Sequence, residues 1–264
     1  MSTNQTPPQT RVALGKRLRS CPGIPCHGVK PNWKDYSLEV RRAVQRADLV
    51  CYPSTLYEDV LNSLGRRTFP RNYYRFMGNK IQQTHLFQLL EVPHPRTRLY
   101  YGRNRAQRIL EDFSPPFVAK DPVGSSQGLG VWLVTCREDL DRYLVGHHPA
   151  YIQEYLPIDR DLRVVLVKGK AVHAYWRAGR EGEFRHNVSR GGRISFEEVP
   201  PEAVSFAEEV GRRCGFEEVG LDICRFEERF YVLEANMVFG LEGFRAMGLD
   251  ISRILCDRVL RENP

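Results

Sequence analysis

The sequence predicts a mixed fold in which a short β/α part is followed by a larger α+β part. Up to about Pro70, apolar strands alternate with amphipathic helices, which is typical of a small parallel sheet. Further along the chain, apolar segments come in pairs around short polar turns, which is typical of antiparallel hairpins. With 264 residues and 42% hydrophobic content, the chain can bury a sizeable core and form one large domain or two small ones.

The elements of the β/α part follow from its hydrophobic spacing. The first ten residues are polar and contain prolines, so we expect a frayed N-terminus. A short strand begins at Val12, a helix begins at about Ser37, and Asp48 to Tyr52 is a buried strand. A second helix, closed by Gly65, is indicated by four apolar residues at helical spacing: Tyr57, Val60, Leu61 and Leu64.

The larger part opens with a helix and two hairpins. The helix begins at about Lys80, with Asn79 as its cap, and ends before Pro93. The paired strands of the two hairpins are 117–120 with 131–134, and 162–167 with 171–177. Antiparallel pairing is therefore expected to dominate this region.

Two more helices and a third hairpin complete the predicted elements. One helix begins at Pro201 and stops at Gly215. The hairpin follows, with its turn between Arg225 and Arg229. The last helix, capped near Asp250, buries four apolar side chains: Ile251, Ile254, Leu255 and Val259.

Charge and hydropathy exclude some classes of protein. The excess of 39 Lys and Arg over 32 Asp and Glu is dispersed along the chain, which suits a polyanionic small ligand or an acidic acceptor as well as nucleic acid. No apolar run approaches the roughly 20 residues of a membrane span. The first residues lack an apolar signal region, so we expect a cytoplasmic protein with no membrane partner.

Seven cysteines are scattered between Cys21 and Cys256 without paired spacing. This pattern predicts reduced thiols rather than a disulfide framework. Cys21, Cys26 and His27 lie close together in sequence, but a zinc site needs a fourth ligand at a defined spacing. We therefore predict no zinc site.

The most informative polar residues are Asp222, Glu234 and Asn236. Strand side chains alternate, so Glu234 and Asn236 share a face, and the third hairpin would bring Asp222 beside them. Three hard oxygen ligands suit Mg²⁺, which also takes water and substrate phosphates. The alternative is a solvated hairpin surface.

A loop of small residues, Gly124 to Gly130, connects the two strands of the first hairpin. Its glycines let backbone N–H groups approach a phosphate closely. It runs from strand to strand and lacks the spacing of helix-linked phosphate loops. Lys120, at the end of the preceding strand, could hold a phosphate as a point charge. The alternatives are an ordinary hairpin loop and a solvated lysine.

Three further polar segments could line a binding site. Gln153 and Glu154 interrupt an apolar strand where acceptors could recognise adenine and ribose, or could simply face water. Arg163 and Arg177 lie on neighbouring strands and could clamp a phosphate or carboxylate, or pair with acidic residues across the sheet. The segment 184–192 offers arginines, an amide and a glycine pair suited to an anionic substrate.

In this order, these pieces resemble the ATP-grasp superfamily, and within it the RimK-like glutamate ligases that modify ribosomal protein S6 and related acceptors. The resemblance covers about residue 78 to the C-terminus, and the ordered combination of motifs is more specific than each motif alone. It rests on residues 79–80, 95–97, 118–131, 153–155, 161–163, 184–187, 190–192, 220–222, 234–236 and 240–243.

The resemblance implies an ATP-grasp fold with a short N-terminal β/α (pre-ATP-grasp) domain. Its expected divisions are a flexible N-terminus at 1–10, the pre-ATP-grasp domain at 11–77, and the ATP-grasp domain with two α+β lobes at 78–264.

The resemblance also implies roles for individual residues. The residues expected to bind ATP are Lys80, Lys120, Gly124, Ser125, Gly128, Gly130, Gln153, Glu154, Tyr155, Asp161, Arg185 and Asn187. Arg177 and Arg190 are expected to be catalytic, with Arg177 steadying the transferred phosphoryl group. Asp222, Glu234 and Asn236 take the metal role, for Mg²⁺ or Mn²⁺.

This sequence departs from the family pattern at three places. Relatives commonly have Ser-Pro-Gly shortly after the metal-binding asparagine, whereas this chain has Met237, Val238 and Phe239, a larger and more apolar wall. Ala178 stands where relatives often have a second arginine, and His186 replaces a common serine. Residues before about 75 match poorly, so the acceptor is the least secure part of the resemblance.

The implied activity is an ATP-dependent carboxylate–amine ligase that works through an acyl phosphate. Its expected partners are ATP, an amino-acid donor with glutamate favoured, and a carboxylate acceptor such as a protein C-terminus. The alternatives are a small-molecule amino-acid ligase, an idle nucleotide-binding module and a nucleic-acid-binding protein. The absence of a basic cluster interleaved with aromatics disfavours the last. The oligomeric state is open, and a homo-oligomer is one option.

Overall fold

The computed structural model describes residues 9–124, 130–179 and 193–261. The chain divides into two compact units. One is formed by the described parts of Met1–Arg75 and Phe244–Pro264, and the other by those of Phe76–Gly243. The sequence-based domain boundaries remain a prediction.

The first unit contains a parallel sheet whose strand order is β1-β2-β3. Its strands are β1 (Arg11–Ala13), β2 (Leu49–Cys51) and β3 (Arg67–Phe69). The helices along this part of the chain are α1 (Leu38–Arg46), α2 (Ser54–Ser63) and α3 (Tyr73–Phe76), with short 3-10 helices at Lys16–Leu18 and Trp33–Asp35. The predicted small parallel β/α arrangement is confirmed.

Local sequence signals determine how these helices begin and which side chains they bury. The Ser37 hydroxyl accepts a hydrogen bond from the Val40 N–H at 3.3 Å and caps α1. Tyr57 and Leu61 of α2 pack into the core of this unit. Val60 and Leu64 are 55% and 63% exposed, because the periodic pattern identifies the helix but not which of its apolar residues face the core.

A disulfide corrects the expectation of seven reduced thiols. Cys21 and Cys256 are bonded, with their Cα atoms 5.4 Å apart, and both belong to the first unit. Their sequence separation of 235 residues leaves no local spacing from which the pair could be predicted. Cys256 lies on the last helix, α9 (Ile251–Leu260), where the Asp250 carboxylate caps the N-terminus by accepting from the Ser252 N–H at 2.8 Å.

The second unit contains two antiparallel sheets. The first has the order β4-β7-β5-β6, with β4 at Thr97–Tyr100, β5 at Phe117–Lys120, β6 at Val131–Val134 and β7 at Ala150–Glu154. The helices in this part of the sequence are α4 (Lys80–Leu89), α5 (Arg105–Asp112) and α6 (Arg137–Leu144). The core between this sheet and its helices includes Tyr100, Ile109, Phe117 and Leu140. The first predicted hairpin is confirmed with its predicted bounds.

The second sheet has the order β10-β9-β8-β11-β12. Its strands are β8 (Arg160–Val167), β9 (Lys170–Ala178), β10 (Arg193–Ser195), β11 (Glu218–Phe226) and β12 (Arg229–Asn236), all paired antiparallel. The helix α7 (Pro201–Cys214) contacts this sheet and ends at Gly215, whose φ of 66° is a left-handed conformation that favours glycine. The remaining helices are α8 (Glu242–Ala246) and α9 (Ile251–Leu260).

The turn between β11 and β12 is tighter than the sequence suggested. The strands extend to Phe226 and Arg229, so the turn consists of Glu227 and Glu228, with φ values of 44° and 64°. Two residues with positive φ match the twist of a hairpin. Neither residue is the glycine or asparagine that normally signals this turn.

Across the described ranges, every helix is too short or too polar to cross a membrane.

Candidate active site

The register of the second sheet brings the predicted metal ligands together. Asp222 on β11 lies opposite Glu234 on β12, and Gly220 lies opposite Asn236. Residues opposite one another in a sheet project from the same face, so the carboxylates and the amide share one surface. The hairpin geometry predicted from the sequence is confirmed, while the metal role remains a prediction.

Asp222 is surrounded by hydrogen-bond donors. Arg163 donates through Nε to Oδ1 and through Nη2 to Oδ2, the latter at 3.1 Å. The Arg177 Nη2 lies 2.9 Å from Oδ2, and the Asn236 Nδ2 donates to the same oxygen at 3.1 Å. Asp222 is buried, so these donors replace the water that it would otherwise bind.

Arg177 connects two carboxylates. Its Nε donates to Asp161 Oδ1 at 2.7 Å, in addition to the contact with Asp222. Burial alone would lower the pKa of Arg177, but the two carboxylates outweigh it and raise that pKa above its usual value. Of the two alternatives left open by the sequence for Arg163 and Arg177, the structure shows pairing with acidic residues across the sheet.

Two buried lysines lie near Glu234. Lys80 Nζ is 3.1 Å from Glu234 Oε1. Burial would raise the pKa of Glu234, but Lys80 and Lys120 outweigh it and hold that pKa below its usual value. Burial lowers the pKa of Lys120 to about 8, with Glu234 opposing the shift and Lys80 adding to it.

Hydrogen bonds hold the first turn of helix α4, which carries Lys80, in place. The Asn79 side chain caps the helix by accepting from the Gln82 N–H at 3.1 Å, as predicted. The Lys80 N–H donates to the Pro122 carbonyl at 3.0 Å. The Gln83 side chain donates to the Ala235 carbonyl at 2.7 Å and accepts from the Ala235 N–H at 3.2 Å. Sequence reasoning missed Gln83, because a lone glutamine on a helix carries no signal for a partner 152 residues away.

Most of these charged groups border a cleft that is partly open to solvent. Its described lining includes Lys120, Gln153, Glu154, Tyr155, Asp161, Arg177, Asp222 and Glu234. Gln153 donates to Thr97 Oγ1 at 2.9 Å, and Glu154 Oε1 accepts from the Arg96 N–H at 2.6 Å. The predicted nucleotide residues at 153–155 and the predicted metal carboxylates therefore border one space.

The ends of the glycine-rich loop have special backbone geometry. Gly124 and Gly130 have φ values of 82° and 72°, which favour glycine. A Cβ on Gly130 would also overlap the Asp121 carboxylate. The other predicted residues of this loop, Ser125 and Gly128, lie outside the described residues.

Four further positions singled out in the sequence, Arg185, His186, Asn187 and Arg190, also lie outside the described residues. The apolar segment after Asn236 is described. Met237 and Phe239 are buried, whereas Val238 is 63% exposed. A Cβ on Gly220 would lie 3.0 Å from the Phe239 Cβ, so Phe239 packs tightly over Gly220.

The donor chemistry of the cleft fits Mg²⁺. Glu234 provides carboxylate oxygens, and Asn236 directs its Nδ2 to Asp222, which leaves its amide oxygen for another partner. Asp222 Oδ1 accepts one hydrogen bond from Arg163, and a carboxylate oxygen has a second lone pair. Mg²⁺ prefers one or two carboxylates and oxygen ligands, so the three residues are chemically suitable.

Comparison with solved structures identifies the fold. A RimK domain ATP-grasp protein from Sphaerobacter thermophilus superposes with a TM-score of 0.65 at 16% identity, over 94% of this chain and 98% of the other. The protein therefore has the ATP-grasp fold, and the predicted fold is confirmed. A family model described as the RimK-like ATP-grasp domain matches residues 77–259, so the chain belongs to the RimK-like ATP-grasp family.

Two relatives are named ligases. A probable alpha-L-glutamate ligase of Alkalilimnicola ehrlichii is 33% identical over 198 residues, which cover 70% of this chain and 65% of the relative. A ribosomal protein bS6--L-glutamate ligase of Shigella boydii is 34% identical over 184 residues, which cover 66% of this chain and 60% of the relative. The chain thus spans less than two thirds of the length of each of these relatives.

Proposed function

We propose that this chain is an ATP-dependent carboxylate–amine ligase that forms an amide through an acyl phosphate and releases ADP and phosphate. The single observation that carries the proposal is the cluster at this cleft, where Lys120 and Arg177 line the space with Asp222 and Glu234, and Lys80 pairs with Glu234. Clustered cations suit the phosphates of ATP, and the carboxylates suit the metal that accompanies them. Membership of the RimK-like ATP-grasp family supports the same reaction.

In the first step, an oxygen of the acceptor carboxylate attacks the γ-phosphorus of ATP, and the bond to the ADP oxygen breaks. Lys80 and Lys120 would hold the phosphates, and Arg177 would stabilise negative charge on the phosphoryl group as it moves. Asp222, Glu234 and Asn236 would hold Mg²⁺, which when bound neutralises phosphate charge. The proposed nucleotide site also includes Gly124, Ser125, Gly128, Gly130, Gln153, Glu154, Tyr155, Asp161, Arg185 and Asn187.

In the second step, the donor amine attacks the acyl carbon, phosphate leaves, and the amine loses a proton. The protein needs no covalent nucleophile, because phosphate is already a good leaving group. Arg190, together with Arg177, would hold the departing phosphate.

We propose L-glutamate as the donor and a peptide or protein C-terminus as the acceptor. Two relatives named as glutamate ligases, one of them acting on ribosomal protein bS6, support this choice. The apolar residues Met237, Val238 and Phe239 would make the acceptor side of this chain differ from that of its relatives. Mg²⁺ is the proposed metal, with Mn²⁺ as a substitute.

An ADP-release assay with mass analysis of the products tests this proposal. We expect ADP release to require Mg²⁺, glutamate and a carboxylate-terminated peptide together, and the peptide to gain the mass of one or more glutamyl residues. Glu234→Gln serves as the inactive control. Release supported equally by small carboxylic acids would favour a small-molecule ligase. No release with any acceptor, despite ATP binding, would support an idle nucleotide-binding module.

A further inference from the structure

The side chain of Arg163 packs against Gly220 on the neighbouring strand, where the lack of a Cβ leaves room for it. Arg163 on β8 is opposite Asp222 on β11, so both side chains project from one face. A Cβ on Gly220 would lie 3.1 Å from Arg163 Cδ and 3.2 Å from its Nη1. A larger residue at position 220 would therefore displace the guanidinium. Phe239 also packs against Gly220, so the residue has little free space on that side.

The two arginines that contact Asp222 differ in their access to the cleft. Arg177 lines the cleft together with Asp161 and Asp222. Both arginines are buried, but within the described part of the chain Arg163 is not among the cleft-lining residues. Arg177 therefore borders the space that a substrate anion would occupy, whereas the guanidinium of Arg163 contacts Asp222.

The contact between Arg163 and Asp222 is the kind that fixes an orientation. Nε and Nη2 of the planar guanidinium engage both carboxylate oxygens, which restrains rotation of the carboxylate. A lysine would preserve the charge but not this fork. Groups that orient metal ligands commonly affect metal affinity without touching the metal.

We propose that Arg163 is a positioning residue that holds the Asp222 carboxylate in the orientation needed to bind the metal of the ATP site, while Arg177 is the arginine that acts on the substrate. The inference rests on the proposed function, since it assigns Asp222 to that metal. It assigns different roles to two arginines that contact the same carboxylate.

Metal affinity tests this role independently of turnover. Mn²⁺ binding is measured by electron paramagnetic resonance in the presence of ADP, for the wild type and for Arg163→Lys. We expect Arg163→Lys to weaken Mn²⁺ binding by about 10–100-fold, and to leave ADP binding without metal unchanged. The matched control is Arg160→Lys on the same strand, whose exposed side chain pairs with Glu197 and should leave Mn²⁺ binding unchanged.

A second variant covers the case in which Arg163→Lys does not fold. Gly220→Ala retains every charged group but crowds the guanidinium, and we expect a smaller loss of Mn²⁺ affinity in the same direction. Thermal unfolding shows which variants are folded.

A folded Arg163→Lys protein with wild-type Mn²⁺ affinity would overturn the inference, even if its melting temperature is lower, since Arg163 would then be a structural ion-pair partner alone. If Arg163→Lys does not fold, unchanged Mn²⁺ affinity in Gly220→Ala has the same meaning. A wild-type chain that binds neither ADP nor Mn²⁺ would instead overturn the proposed function.

Discussion

Lys80 and Glu234 form an ion pair with 3.1 Å between Nζ and Oε1, in which the lysine side chain is 6% exposed and the glutamate side chain 28% exposed. The pair joins the first turn of α4 to β12 across 154 positions of sequence. It gives the buried lysine a counter-charge. A phosphate that binds Lys80 and a metal that binds Glu234 would each compete with this ion pair, so the two ligands should favour each other's binding.

The first prediction concerns Glu234→Gln. The change removes a proposed metal ligand, so ADP release should fall by at least about 100-fold. It also removes the ion pair between Lys80 and position 234, which should lower the free energy of unfolding by about 1–3 kcal/mol. Steady-state kinetics and urea unfolding measure the two effects. ADP release at the wild-type rate would remove Glu234 from the metal site.

The second prediction is a pH dependence that arises from Lys120. Its pKa of about 8 lies below the usual 10.5, so above pH 8 the folded protein loses a proton that the unfolded chain retains. The cost of burying this charge is therefore present below about pH 8 and disappears as the pH rises from 8 to 10.5. The proposed phosphate contact, which needs the charged amine, should weaken over the same range.

The KM for ATP should accordingly rise above about pH 8, by up to tenfold per pH unit, before other groups titrate. Lys120→Arg keeps its charge at all these pH values and should flatten the profile. Lys120→Ala should weaken ATP binding at every pH. Unchanged ATP affinity in Lys120→Ala would refute the phosphate role.

The third prediction concerns Arg177→Lys. The residue contacts Asp161 and Asp222 and also lines the cleft, so the change should lower kcat by about 100–1000-fold, as for other donors that stabilise a transition state. The KM for ATP should change much less. Arg160→Lys on β8 is the control. A variant that loses ATP affinity with an unchanged kcat would assign Arg177 to ground-state binding.

The fourth prediction concerns the disulfide. Replacing Cys21 and Cys256 by alanine should lower the free energy of unfolding by about 2–4 kcal/mol under non-reducing conditions. Reductant should bring the wild type to the same stability as the variant. The exposed Cys136 is the matched control, and Cys136→Ala should change stability by less than about 0.5 kcal/mol. Equal wild-type stability with and without reductant would show that the two thiols are unbonded in solution.

Features with local causes were predictable from the sequence. Ser37, Asn79 and Asp250 cap helices because a side-chain oxygen reaches an N–H two or three residues ahead, and such a contact depends on near neighbours. Alternation along a strand likewise predicted the common face of Glu234 and Asn236.

Features that depend on the pairing of distant segments were not predictable. That Arg163 faces Asp222 depends on the register between β8 and β11, which the residue types leave open. The Gln83 contact with Ala235 and the bond between Cys21 and Cys256 join segments far apart in sequence. For the same reason, the sequence could suggest that Arg163 and Arg177 lie near an anion, but it could not show which carboxylates each of them contacts.

The division of the chain into two units has a consequence for synthesis. The candidate active site lies within one continuous stretch, Phe76–Gly243, whereas the other unit needs segments from both sides of it. A ribosome completes the inner stretch before Phe244–Pro264 emerges, and domains generally fold as units during translation. The candidate active site is therefore built from one uninterrupted segment, whereas the outer unit cannot be completed until its last helix, which carries the partner of Cys21, has also been synthesised.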